Sequence, residues 1–298
     1  MGLDLHESAI PTVQEESCTG CGRCVEVCAS RTLAMLGGKV SIATRMFMGC
    51  IGCGQCAMIC PTGSITVAGR RFDAGDLVEL SPLEKRAPPD ALDALLLSRR
   101  SVRTFRAEEI DRAVVERILA MTSTAPMGIP PSEVGIVVFH GREKVRQLAA
   151  DAVGSFRRAL KFFRPLMLGL MRPFMGRTDY QTMRDFVRPL LQHIVEHWDA
   201  GEDVFAYEAP LAMLFHAGAM GDPADSYIAA TYAMIAGQSL GLGSCMLGTT
   251  AALAHDPALK AKYGIPRENK VGLGLLLGYP AVHFQRGVRR RLASVTFA

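Results

Sequence analysis

Cys18-x-x-Cys21-x-x-Cys24-x-x-x-Cys28 is repeated downstream as Cys50-x-x-Cys53-x-x-Cys56-x-x-x-Cys60-Pro61. Eight of the nine cysteines lie in these two copies of one spacing. Thiolates three positions apart converge on a soft metal centre from a single tight loop. Three of them with a distant fourth are the ligand set of a cubic [4Fe–4S] cluster. Zinc ribbons also use Cys-x-x-Cys, but they take two pairs per metal rather than a triplet and a fourth cysteine. Disulfides suit small secreted domains, whereas Met1 to Thr12 carries acids and no apolar leader core.

The segment resembles a bacterial two-cluster ferredoxin, in which the fourth cysteine of each run serves the other cluster. That pattern assigns Cys18, Cys21, Cys24 and Cys60 to one cluster and Cys50, Cys53, Cys56 and Cys28 to the other. Ala29 follows Cys28 where the family often has proline, a difference in a turn rather than a ligand. The expected architecture is a βαββαβ module, with Val40–Ile42 and Ile65–Val67 as strands beside the cluster loops.

The chain has 298 residues, enough for this module and a full-sized second domain. Hydrophobic residues make up 49% of it, and no run of eighteen apolar residues marks a membrane span. Thirty-three basic and 29 acidic residues leave a net charge of +4, which does not describe a nucleic-acid binder. Reduced thiols and exposed clusters point to the cytoplasm. The division expected is a cluster domain over 1–75, a polar linker over 76–89 ending in Arg86-Ala87-Pro88-Pro89, and an α+β domain over 90–298.

That second domain opens with Asp90 as the cap of a helix over 91–97. Next come Arg99, Arg100, Ser101 and Arg103, a set of forked guanidiniums and a hydroxyl suited to a phosphate; chemistry alone leaves a solvated basic face as an equal reading. The order Arg-Arg-Ser-x-Arg-x-Phe resembles the opening motif of the FMN-dependent nitroreductase family. Further matches follow in family order. They are a helix over 109–121 with an apolar stripe of Ile110, Val114, Ile118 and Met121, the loop Ala125-Pro126-Met127-Gly128, and a buried strand over 135–139. A core helix over 226–240, a second flavin loop over 241–248, and a last central strand running into Gly278-Tyr279-Pro280 complete the series.

The resemblance implies a domain-swapped homodimer with FMN at the subunit interface. It also implies cofactor contacts from Arg99, Arg100, Ser101, Arg103, Pro126, Met127, Gly128, Leu247, Gly248, Arg289 and Arg290. The family's asparagine near the flavin falls on Pro130, which has neither N–H nor amide. Flavin contacts there fall to the backbone of Met127, Gly128, Leu247 and Gly248. No catalytic side chain or proton donor is assigned.

Residues 155–205 form an apolar and basic helical insert that small family members lack. Extra packing and a lid over the flavin rank equally for it. A membrane-surface role ranks behind them, because Pro165 and Pro173 interrupt an amphipathic helix. A helix over 180–200 places Phe186, Leu190, Ile194 and Trp198 near helical spacing. His193-Ile194-Val195-Glu196-His197 fits an inverted zinc-protease motif, but the polar face of the insert helix is the favoured reading, since no third ligand is evident and the rest of the chain reads as a flavoprotein. Cys245 reads as a small buried residue, and the isolated histidines carry no role.

Together these features describe a reductase fed by a donor such as ferredoxin, with two [4Fe–4S] clusters and FMN reducing a small electrophile (nitro, quinone or enone-like). An electron carrier or redox sensor acting on a protein partner is the alternative.

Overall fold

Alternating apolar residues in short runs, separated by glycine turns, make the first set of strands. A computed structural model describes residues 8–44, 49–250 and 256–297. Most of the leader reading for Met1–Thr12, together with His6 and His255, lies outside these residues. The chain forms two compact units. One comprises Met1–Arg86 with Met127–Glu133 and Met220–Asp222; the other comprises Ala87–Pro126, Val134–Ala219 and Pro223–Ala298.

The first unit runs β1 (Ile10–Val13), α1 (Arg23–Glu26), β2 (Leu33–Leu36), β3 (Lys39–Ile42), α2 (Gln55–Ile59) and β4 (Ile65–Ala68). This is the βαββαβ order. β1 pairs antiparallel with β4, Ile10 opposite Ala68, and β2 pairs antiparallel with β3, Leu33 opposite Ile42. A small core of Leu33, Val40, Ile65 and Val67 packs against Cys24 and Cys56. Gly22 and Gly54 open the two short helices in the left-handed region, at φ 73° and 69°, a conformation that costs other residues about 1–2 kcal/mol.

The second unit begins with α3 (Pro89–Ser98) and α4 (Arg112–Thr122), then β5 (Val134–His140), α5 (Arg142–Phe162), α6 (Pro165–Met171), α7 (Arg177–Thr182) and α8 (Arg188–Asp199). It continues through β6 (Leu211–Ala217), α9 (Pro223–Ser239), β7 (Gly243–Leu247), α10 (Pro257–Lys262) and β8 (Lys270–Gly278). The strands form one antiparallel sheet in the order β5-β6-β8-β7. Its two faces carry separate cores. Phe139, Phe156, Leu191, Ile194, Phe205 and Leu276 form one, with α5 and α8. Ile110, Ile118, Met213, Phe215, Ala233 and Leu275 form the other, with α4 and α9. Helix α9 lies close on the sheet because Gly237 has no side chain: a Cβ there would sit 2.4 Å from Leu277.

Several local expectations change. Asp90 does not cap α3; Pro88 does, and Pro89 takes the first turn, where a missing N–H costs nothing. The strand over 135–139 is half-buried, with Phe139 alone fully inside, because β5 is a sheet edge. The segment read as a second flavin loop is mostly strand β7, paired with β8 from Gly243 opposite Gly278 to Leu247 opposite Gly274. In the insert, a π-helical turn over Met183–Val187 separates α7 from α8. Its extra residue per turn rotates the helix face, so Leu191 and Ile194 are buried while Phe186 is exposed. Among the described residues no helix is long and apolar enough to cross a membrane.

Candidate functional site

Two glycine-opened helices carry the middle cysteines of the first unit inward: Cys24 sits on α1 and Cys56 on α2, both buried. Cys18, Cys21, Cys24 and Cys60 line one cavity with Val13, Val40 and Ile65. Cys28, Cys50, Cys53 and Cys56 line a second with Pro11, Val27 and Leu33. Each run therefore sends its fourth cysteine to the other run's cavity. Among the described residues no three His, Cys, Asp or Glu side chains close on a single ion. The thiols stand instead around spaces walled by apolar side chains, the shape a cubic cluster needs.

Their electrostatics fit a cationic core. Burial, then the neighbouring Cys50, pushes the Cys56 thiol up to about 11. Burial also raises Cys24 and Cys50, with nearby thiols adding to the effect. A cationic centre bound among these crowded, buried thiols would offset the cost of ionising them.

Four hydroxyls at these cavities escape the cysteine pattern. Ser30 Oγ lies 3.7 Å from Cys28 Sγ and 2.7 Å from Thr32 Oγ1, and the Thr32 N–H donates to Cys28 Sγ at 3.3 Å. The second copy repeats the arrangement: Thr62 Oγ1 lies 3.6 Å from Cys60 Sγ and 2.6 Å from Ser64 Oγ. Burial works to raise Cys28 and Cys60, but the Ser30 and Thr62 hydroxyls, together with backbone N–H groups of Ser30, Thr32 and Leu33 and of Thr62, Ser64 and Ile65, outweigh it and lower both. The signal was present as Cys-x-[Ser/Thr]-x-[Ser/Thr] after each fourth cysteine.

In the second unit, the arginine segment runs beside β7. Ser101 pairs in parallel with Ser244, and the Val102 N–H donates to the Ser244 carbonyl at 2.8 Å. Extended backbone alternates its side chains. Arg99 and Arg103 reach towards Cys245, whose thiol is nevertheless raised because burial dominates. Arg100 turns away to line a cavity of about 460 Å³ with Ser98, Val102, Gln238, His283 and Arg286. The structure thus separates Arg100 from Arg99 and Arg103.

Arg103 also stacks on Tyr207, its guanidinium 5.8 Å from the ring centre. Tyr207 and Glu208 both adopt φ of 52°, a strained pair for residues with a Cβ. Asp203 holds that turn, accepting from the N–H groups of Phe205, Ala206 and Glu208 at 3.1, 2.7 and 3.2 Å. Neither Tyr207 nor Asp203 carries a sequence motif.

The donor set of Arg99, Ser101 and Arg103 fits a phosphate dianion. The Oγ of Ser244 beside it is buried without a hydrogen-bond partner among the described residues. At the tail, Arg289 grips both oxygens of Asp93 on α3, at 3.0 and 2.5 Å. Its guanidinium is thereby paired with a carboxylate, while Arg290 and Arg291 are exposed. Leu247 packs its side chain into the core, and Gly248 opens a 3-10 turn. Pro126 belongs to the second unit, and Met127 and Gly128 to the first. In the insert, the His193 and His197 rings stack 3.9 Å apart, and His197 Nδ1 is 2.9 Å from the His193 carbonyl.

The nitroreductase family model matches residues 96–279, well over half of the chain. The chain belongs to the nitroreductase family. A 4Fe-4S dicluster domain model matches residues 17–65. Among solved structures, a nitroreductase with bound FMN from Bacteroides fragilis is similar at 19% identity and a TM-score of 0.53, covering 70% of this chain and 98% of that one. A nitroreductase with bound FMN from Desulfitobacterium hafniense shows 16% identity and a TM-score of 0.49, over 70% and 97% of the two chains. Comparison with curated proteins found no match. This nitroreductase-family chain is an FMN-dependent oxidoreductase, and its cofactors are FMN and [4Fe–4S] clusters.

Proposed function

We propose that this chain takes electrons from a donor such as ferredoxin through two [4Fe–4S] clusters to FMN and reduces a small electrophile, of nitro, quinone or enone type. The observation that carries the proposal is the presence, in one nitroreductase-family chain, of two quartets of cysteines around two cavities. Bound clusters supply one-electron transfer, and bound flavin supplies the pairing of electrons that a two-electron reduction needs.

The chain's own residues prepare the sites. The eight thiolates hold iron, and the Ser30 and Thr62 hydroxyls donate to ligand sulfurs. Arg99, Ser101 and Arg103 hold the FMN phosphate, with Arg290 closing from the tail. Backbone groups of Pro126, Leu247 and Gly248 line the flavin. Arg100 and Arg289 are structural partners of the tail, through the Val288 carbonyl and Asp93.

The functional division is a cluster module over 1–75, a linker over 76–89 and a flavin domain over 90–298. The working unit is a homodimer in the cytoplasm. Support for the dimer comes from α3, which buries no residue and exposes Leu92 and Leu96, and from the exposed Val295 and Phe297 of the tail.

Anaerobic purification with iron, sulfide and flavin analysis tests the cofactor content; about eight irons per chain are expected from two cubes, with one FMN. Anaerobic stopped-flow then compares donors. Reduced ferredoxin should reduce the flavin faster than NADPH. Rapid flavin reduction by NADPH in a variant lacking all eight cluster cysteines would overturn the route through the clusters.

A further inference from the structure

Residues 157–188 hold eight basic and two acidic side chains, a net charge of +6 against +4 for the whole chain. All the positive excess of the protein therefore lies in this segment of the insert. Arg157, Arg158 and Arg184 are paired with Asp199, Asp256 and Asp185. Lys161, Arg164, Arg172 and Arg177 stand exposed.

The same segment turns an apolar face outward. Leu168 of α6 is buried. Leu166 and Leu170, four residues apart, share the opposite side of the helix, with Leu166 78% exposed. Phe174, in the 3-10 turn that follows, is 92% exposed, and Phe162 at the end of α5 is exposed as well. An inward Leu168 with Leu166 and Leu170 outward inverts the pattern of a helix that serves only to cover a core.

Pro165 and Pro173 do not break an amphipathic helix here. Pro165 occupies the first turn of α6, and Pro173 lies in the 3-10 turn Arg172–Phe174, where neither needs an N–H partner. The prolines delimit a short helix instead of interrupting a long one. Arg164 and Arg172 then bracket it, one at each end. Cations flanking outward leucines and phenylalanines are the arrangement of a segment lying in the plane of a bilayer, its apolar side chains among acyl chains and its guanidiniums at anionic headgroups.

We propose that Phe162–Phe174 docks this protein onto the surface of a bilayer that contains anionic lipid. The charge selects the occupant. Phe162–Phe174 carries Arg164 and Arg172 and no acidic residue, so a second copy of the same patch would set +2 against +2, and like charges face to face oppose such an interface. An anionic lipid surface is complementary to both the charge and the outward leucines. The helix is too short to span, so the association is peripheral and reversible.

Sedimentation of the anaerobic holoprotein with vesicles tests this. Wild type should bind phosphatidylcholine vesicles containing phosphatidylglycerol, bind pure phosphatidylcholine weakly, and lose binding as salt rises. The triple variant L166Q/L170Q/F174Q should bind anionic vesicles at least about tenfold more weakly, because burial of apolar side chains drives insertion. R164Q/R172Q should lose most of its preference for anionic over neutral vesicles. Iron, flavin and circular dichroism establish that each variant is folded; the comparison of vesicle compositions with wild type needs no variant. Absence of binding to anionic vesicles, or binding unchanged in both variants, overturns the proposal. So does a triple variant that binds normally but changes oligomeric state, which makes the patch a subunit contact, or one that binds normally but alters KM for a soluble electrophile, which makes it a lid.

Discussion

Replacing Thr62 by Val removes a hydroxyl while keeping the side chain's shape. The Thr62 Oγ1 sits 3.6 Å from Cys60 Sγ and is itself anchored by Ser64 at 2.6 Å. A hydroxyl donating to a ligand sulfur stabilises the more electron-rich, reduced cluster, so its loss should lower the reduction potential. A single hydrogen bond nets about 0.5–1.5 kcal/mol. A tenfold change in equilibrium is about 1.4 kcal/mol, or about 59 mV for one electron. The whole bond thus sets a ceiling of roughly 20–65 mV, and the sulfur's charge in both oxidation states keeps the shift below it.

Because Cys60 lines the cavity of Cys18, Cys21 and Cys24, Thr62→Val should shift that couple alone. Ser30→Ala, beside Cys28, should shift the other couple. Anaerobic redox titration followed by electron paramagnetic resonance, or film voltammetry, resolves the two. Potentials unchanged in both variants would refute the role of the hydroxyls. A single variant that moves both couples equally would refute the crossed sharing of the fourth cysteines.

Gly20→Ala should lower the iron content and the melting temperature of the cluster module, since a Cβ there would lie 2.1 Å from the Gly38 carbonyl oxygen at φ +70°; the left-handed conformation alone costs about 1–2 kcal/mol. Arg103→Ala should leave the fold intact but release FMN on gel filtration, and flavin occupancy equal to wild type would remove Arg103 from the phosphate set. Burial, and then the charge of Lys260, hold buried His216 below its ordinary value, and its Nδ1 accepts from Asn269 at 2.9 Å. The folded chain therefore favours neutral His216. The stability it contributes is complete above the ordinary histidine value of about 6.5 and is lost as pH falls through the depressed one. Urea midpoints should fall more steeply with acid in wild type than in His216→Gln, and parallel slopes would contradict this.

The arginine segment shows what order along the chain leaves open. Arg99, Arg100 and Arg103 read alike as phosphate ligands, yet an extended backbone beside β7 sends Arg100 to the opposite side from the other two. Similarly, Arg289 looks like its neighbour Arg290 until Asp93, 196 residues earlier in the chain, takes its guanidinium. Tyr207 and Asp203 had no motif to announce them. Their place beside Arg103 depends on a strained turn held by side-chain to backbone hydrogen bonds.

What the sequence determined by itself was local or repetitive. Ligand spacing within a run of cysteines is a property of a few consecutive residues, so it survives without knowledge of the fold. The order of the nitroreductase motifs and the apolar character of the central strand are likewise carried residue by residue. Only the tertiary structure decided which face each side chain presents: the hydroxyls under Cys28 and Cys60, the edge positions of β5 and β7, and the outward leucines of α6 bracketed by arginine. The physical reason is that facing depends on phase. A single π turn or one proline at a helix start resets that phase, and the partner that stabilises the new face comes from a distant part of the chain.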